Sequence, residues 1–243
     1  MEDQVERLVK KTWSRYQSLP PNQRLLVAVS GIPGSGKTTL AATVTTRLNQ
    51  LFSATSPSSP PIAGMIPMDG YHLSRAQLSA MPDPTHAHDR RGAEFTFDSA
   101  AYLHLVKKCR SPVDGSAKVI YAPSFDHAVK DPKEDDIPIE PTTRILVFEG
   151  LYLSLTKTPW KEAAELMDET WFVDVDMETA RSRLVPRHVK AGIAKDIEAA
   201  HKRVSENDLV NGEEIIRDRM DVDEVVISRD DDNWKPEAQG VGK

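Results

Sequence analysis

The chain has a single cysteine, Cys109, among 243 residues, which excludes an intramolecular disulfide and leaves no basis for a cysteine metal centre. Cys109 closes an apolar helical pattern with Tyr102, Leu105 and Val106 and reads as a small core residue. There is no excess of positive charge: 31 Lys and Arg stand against 37 Asp and Glu, a net charge of −6. That balance argues against a broad nucleic-acid surface, which needs a basic stripe to displace counterions from phosphates. No apolar run approaches membrane length, and the acidic start Met1-Glu2-Asp3-Gln4 is unlike a secretory signal. A soluble cytoplasmic protein with no nucleic-acid or membrane partner is expected, as a monomer or a homodimer. Also missing is the Asn/Thr-Lys-x-Asp segment with which GTPases of the switch class read their base.

What is present begins with Gly31-Ile32-Pro33-Gly34-Ser35-Gly36-Lys37-Thr38-Thr39, which fits the phosphate-binding pattern G-x-x-x-x-G-K-[ST] at every fixed position. Leu25 to Ser30 reads as a short buried strand before it, and Leu40, Val44, Leu48 and Leu51 recur at helical spacing after it. Strand, glycine-rich loop and helix is the context in which backbone N–H groups converge on phosphates at a positive helix end. Lys37 is then placed for the outer phosphates, and the Thr38 hydroxyl for Mg²⁺.

Residues 3 to 17 put Val5, Leu8, Val9 and Trp13 on one helical face. The Pro/Ser segment from Ser53 to Pro61 reads as an exposed loop. Further strands are expected at Ile62 to Met68, Thr143 to Glu149, Thr170 to Val175 and Glu224 to Ser228, separated by helical stretches. Strands spaced by helices imply an α/β fold with a parallel sheet covered on both faces, in which ligands gather beyond the carboxyl ends of the strands. Residues 229–243 form a polar tail.

The strand ends therefore supply candidates. Asp69 follows the second strand and fits either a general base for an attacking hydroxyl or a turn aspartate beside Gly70. Glu149 ends the third and fits the usual acidic partner of the loop, holding Mg²⁺ or its waters. After the fourth, Asp176 reads as a helix N-cap, and Arg183 and Arg187 stand four apart on the helix that follows. Those arginines suit either a solvated face or neutralisation of a transferring phosphoryl group. Gly192 with Ile197, Ala200 and Val204 then suggests a helical hairpin that closes as a lid. His86 and His88, two apart in an irregular run, lack a third metal ligand.

These motifs together resemble the phosphoribulokinase, uridine kinase and pantothenate kinase group of P-loop kinases. The carrying segments are Gly31 to Thr39, Met68-Asp-Gly-Tyr-His72, Arg91 to Asp98, Ala122-Pro-Ser-Phe-Asp-His127 with Asp131-Pro132, Val147-Phe-Glu-Gly150 and Arg183-Leu-Val-Pro-Arg187-His188. The resemblance implies a three-layer P-loop fold with a five-stranded parallel sheet and a helical lid. It also implies transfer of the γ-phosphoryl of ATP, with Mg²⁺, to a hydroxyl of a small metabolite such as a nucleoside, a sugar or pantothenate. By resemblance Asp69 is the base, Glu149 the acidic partner of Mg²⁺, Arg183 and Arg187 the lid arginines, and Tyr71, His72, Arg91, Phe125, Asp126 and His127 the acceptor side. It implies one domain over residues 1–228, with an acceptor-site insertion at about 69–140 and a lid at about 180–210. Lys130 stands near the place where uridine kinases carry a histidine, and the Phe-Asp-His…Asp-Pro form is similar to a sugar-kinase-like subgroup of fungal and bacterial members. Asn207-Asp208-Leu-Val-Asn211 suits a nucleotide or lid contact, or a helix cap.

Overall fold

The structure is a computed structural model and describes residues 1–114, 116–126, 128–229, 231, 234 and 239. In chain order the elements are α1 (Glu2–Gln17), β1 (Leu25–Gly31), α2 (Lys37–Thr55), β2 (Ala63–Pro67), α3 (Arg75–Ser79), α4 (Pro84–Asp89), α5 (Ser99–Arg110), β3 (Ile120–Asp126), β4 (Asp131–Ile139), β5 (Ile145–Gly150), α6 (Trp160–Ala164), β6 (Glu169–Asp174), α7 (Met177–Lys190), α8 (Ile197–Arg203), α9 (Leu209–Asp218) and β7 (Glu224–Ile227). A 3₁₀ turn, Met68–Tyr71, follows β2, and a π-turn, Val204–Asp208, joins α8 to α9.

Five strands form one sheet in the order β2-β5-β1-β6-β7, and every neighbouring pair is parallel. The two central strands are buried at every residue, which is why they read as unbroken apolar runs rather than as alternating ones. Their side chains nevertheless alternate between two cores. Leu25, Val27 and Val29 pack with Val5, Leu8, Leu40, Val44 and Leu48 on the α1 and α2 side. Leu26, Ala28 and Phe148 pack with Tyr102, Val106 and Trp160 on the α5 and α6 side. The result is three layers, as the family resemblance implies.

Three local expectations need correction. Leu51 is 40% exposed, and Phe52 beside it packs against the α1 and α2 core instead. Thr12 rather than Trp13 takes the buried position of α1, and Trp13 packs at the margin of the cluster. The helix α2 runs to Thr55, into the segment read as loop. Asp176 does cap α7, its carboxylate accepting from the Thr179 N–H at 2.8 Å. Cys109 is fully buried. Of the polar tail, Trp234 packs at the margin of the α1 and α2 core, and residues 230, 232, 233, 235–238 and 240–243 lie outside the described residues.

Candidate active site

The phosphate loop leaves the carboxyl end of β1, and its glycines are forced by contact. A Cβ on Gly31 would lie 2.7 Å from Ser35 Oγ and 2.8 Å from the Val173 carbonyl. Gly34 has φ +80° and backs onto the Ala180 carbonyl, where a Cβ would stand at 2.9 Å. Gly36, at φ +89°, is the N-cap of α2, so Lys37, Thr38 and Thr39 form its first turn. Pro33 and Ser35 are buried beneath the loop, and Ser35 Oγ has no hydrogen-bond partner. Thr39 is buried too, whereas Thr38 is exposed.

Glu149 reaches the same place from β5. Its Oε1 accepts a hydrogen bond from Thr38 Oγ1 at 3.0 Å and lies 3.9 Å from Lys37 Nζ. Burial pushes the Glu149 carboxyl up and the Lys37 ammonium down, and each charge partly offsets the shift of the other. Asp69 enters from the neighbouring strand: Pro67 of β2 pairs with Glu149, and the 3₁₀ turn carries Asp69 just past it. Its charge acts on both Glu149 and Lys37. Each carboxylate is followed by a glycine for a packing reason. A Cβ on Gly150 would stand 2.4 Å from Met68 Cβ, and one on Gly70 would stand 2.2 Å from the Pro123 carbonyl of β3.

The two α7 arginines part company. Arg183 Nη1 donates to the Gly34 carbonyl at 3.1 Å and to Ser228 Oγ at 2.9 Å, so it braces the loop from behind. Arg187 is exposed, and its charge is felt at Lys37 and Glu149. Beside it the buried His188 holds Asp208 of the π-turn, Nε2 to Oδ2, at 2.8 Å. Asp208 also acts on Lys37. No periodicity in the sequence marks Asp208 as part of the site; its pairing with His188, 20 positions away, exists only across the helical hairpin.

The acceptor-side residues divide. His72 Nδ1 donates to the Asp69 carbonyl at 2.9 Å, and the ring packs between Phe97 and Phe125, with centroids at 4.0 and 4.9 Å. Arg91 lies against Phe125, its guanidinium carbon 5.6 Å from the ring centre, and donates to the Leu73 and Lys130 carbonyls and to Asp131. Asp126 shapes the β3–β4 turn by accepting from the N–H groups of Ala128 and Val129. Tyr71 points into the core, edge-on to Tyr102, where burial raises its phenol well above the ordinary value. His127 lies outside the described residues. Tyr71 and His72 also border a cavity of about 330 Å³ shared with Gln77, His104, Lys108 and Glu134, which no phosphate-loop residue lines. His86 stacks on Phe95 and His88 pairs with Ser79. Among the described residues no group of three or more His, Cys, Asp or Glu is placed to hold a metal, and no helix is long and apolar enough to cross a membrane.

The loop is a cradle that a Cβ would fill, with a lysine, a hydroxyl and a carboxylate at its mouth. Hydroxyl and carboxylate are hard oxygen donors of the kind Mg²⁺ takes alongside phosphate oxygens, so the residues fit that ion and a nucleoside triphosphate. The model of the phosphoribulokinase/uridine kinase family matches residues 26–233. The ATP-dependent kinase-like protein notR' of Aspergillus versicolor is 51% identical over 172 residues, covering 71% of this chain and 98% of its own. The ATP-dependent kinase YFH7 of Saccharomyces cerevisiae is 31% identical over 246 residues, covering 89% of this chain and 69% of its own. The crystal structure of YFH7 superposes with a TM-score of 0.82 at 24% identity, over 93% of this chain and 99% of that one.

Proposed function

The chain belongs to the phosphoribulokinase/uridine kinase family of ATP-dependent kinases, and from that premise we propose that it transfers the γ-phosphoryl group of ATP to a hydroxyl of a small metabolite. The observation that carries the reading is the convergence of Asp69, Glu149 and Lys37 at the ends of two adjacent parallel strands and the phosphate loop. Phosphoryl transfer needs positioning and charge neutralisation more than covalent help, and these groups supply both.

In this reading the loop N–H groups and Lys37 hold the triphosphate, and Thr38 with Glu149 would hold Mg²⁺. That ion would supply charge neutralisation at the phosphates. Asp69 accepts the proton of the acceptor hydroxyl as its oxygen forms the new bond to phosphorus, and the bond to the β-phosphate oxygen breaks to release ADP. Arg187 neutralises the charge that spreads over the transferring group, while Arg183 keeps the loop in shape. His72, Phe125 and Arg91 border the acceptor, an aromatic and polar wall suited to a hydroxylated molecule.

The test is ADP release across nucleosides, pantothenate, sugars and glycerate, comparing wild type with Asp69→Asn. An acceptor that stimulates turnover in wild type and loses about 100-fold or more in the variant supports the reading. Stimulated turnover left intact by the substitution removes Asp69 from the role of base.

A further inference from the structure

The π-turn Val204–Asp208 faces two ways. Toward the phosphate loop it carries Asp208, held by His188. On its other side it meets the loop 89–92, which leads out of α4. A π-turn opens the helical ladder and spreads its carbonyls, which is one reason such turns occur at functional sites. Here Arg90 Nη1 donates to the Glu206 carbonyl at 3.1 Å, and Arg90 Nη2 to Asn211 Oδ1 at 2.8 Å. The Arg91 carbonyl receives Asn207 Nδ2 at 3.1 Å and Arg203 Nη2 at 3.0 Å. The same loop grips the acceptor side with its next side chain, since the Arg91 guanidinium holds Lys130 and Asp131 of the β3–β4 hairpin. Residues 89–92 are therefore hydrogen-bonded to α8, the π-turn and α9 on one side and to the hairpin on the other.

We propose that Arg90 and Asn211 are positioning residues that lock the lid to the acceptor hairpin, so that nucleotide held on the lid side orders β3 and β4 before the acceptor arrives. The inference rests on the nucleotide site described under Proposed function and assigns to it a route by which donor and acceptor halves are coupled. Coupling of this kind acts through a connected set of bonds that both sites bias, and cutting it leaves each site intact on its own.

Hydrogen exchange of the hairpin amides, residues 120–139, measured with and without Mg²⁺ and the non-hydrolysable probe AMP-PNP, tests it. In wild type the probe is expected to slow hairpin exchange about fivefold or more. Arg90→Ala and Asn211→Ala are expected to bind the probe within about twofold of wild type yet to lose about half or more of that slowing, the Arg203 and Asn207 bonds to the Arg91 carbonyl remaining in place. Asn211→Asp, which keeps the oxygen that Arg90 uses, is expected to retain it. Arg90 is only partly buried, so its truncation is the variant least expected to disturb folding; circular dichroism checks both alanine variants. Undiminished slowing in Arg90→Ala and Asn211→Ala, or no slowing in a wild type that binds the probe, would overturn the inference. A wild type that does not bind the probe at all would instead remove the nucleotide site on which it stands.

Discussion

At the scale of single residues, the site is built by opposition between side chains that the fold commits to structure and those it leaves free. Arg183 and Arg187 share a helix and a face, but one is spent on the Gly34 carbonyl and the other is exposed beside the Lys37–Glu149 pair. Arg187→Ala is therefore expected to lower kcat about 100-fold with little change in nucleotide affinity, because it acts on charge that develops during transfer. Arg183→Ala is expected to weaken nucleotide binding first, since the loop it braces loses its shape. Steady-state kinetics alongside a binding isotherm separates the two; equal effects on both constants in both variants would contradict the division. Cys109 gives a second residue-scale prediction. It is fully buried, and burial pushes its thiol up to about 12, so at pH 8 only about one thiol in ten thousand is ionised. Reactivity toward a disulfide reagent is expected to be absent in the native protein at pH 8 and to appear on unfolding.

At the scale of elements, what could be read in advance depended on whether the pattern was local. The loop, the five sheet strands and the Asp176 cap of α7 each write their signal within a few residues of sequence. The hairpin does not: β4, Asp131-Pro-Lys-Glu-Asp-Asp-Ile-Pro-Ile139, is exposed over most of its length, so it has no alternation to betray it. The short α4 lies in the run around His86 and His88 that read as irregular. The π-turn is invisible to any 3.6-residue period; the sequence singled out Asn207 to Asn211, but not the pairing of Asp208 with His188 on another helix. Docking of α1 shows the same dependence on distance in sequence. Glu169, fully buried on β6, accepts from the Trp171 indole N–H at 2.8 Å and from Arg15 at 3.2 Å, and lies 3.3 Å from Lys11. Replacing it with alanine leaves a buried indole donor unpaired and releases two α1 cations, which should cost about 2 kcal/mol in urea unfolding. Double replacement of Lys11 and Arg15 by alanine should also destabilise, because it leaves the buried Glu169 carboxylate with the Trp171 indole N–H and no cation.

At the scale of the whole molecule, the parallel sheet explains why these groups meet at all. Strand ends that lie side by side bring the glycine-rich loop, Asp69 and Glu149 together, although Thr38 and Glu149 are 111 positions apart in the chain. The α8–α9 segment and the β3–β4 hairpin meet through residues 89–92. The measurement that tests this account most directly is phosphorus NMR of the purified protein with Mg²⁺, ATP and a panel of hydroxylated acceptors, run for wild type and Asp69→Asn. The account predicts a new phosphate monoester resonance together with ADP for at least one acceptor, slowed about 100-fold or more in a variant that still binds ATP. Formation of the ester at an undiminished rate in Asp69→Asn, or release of inorganic phosphate with no ester from any acceptor, would contradict it.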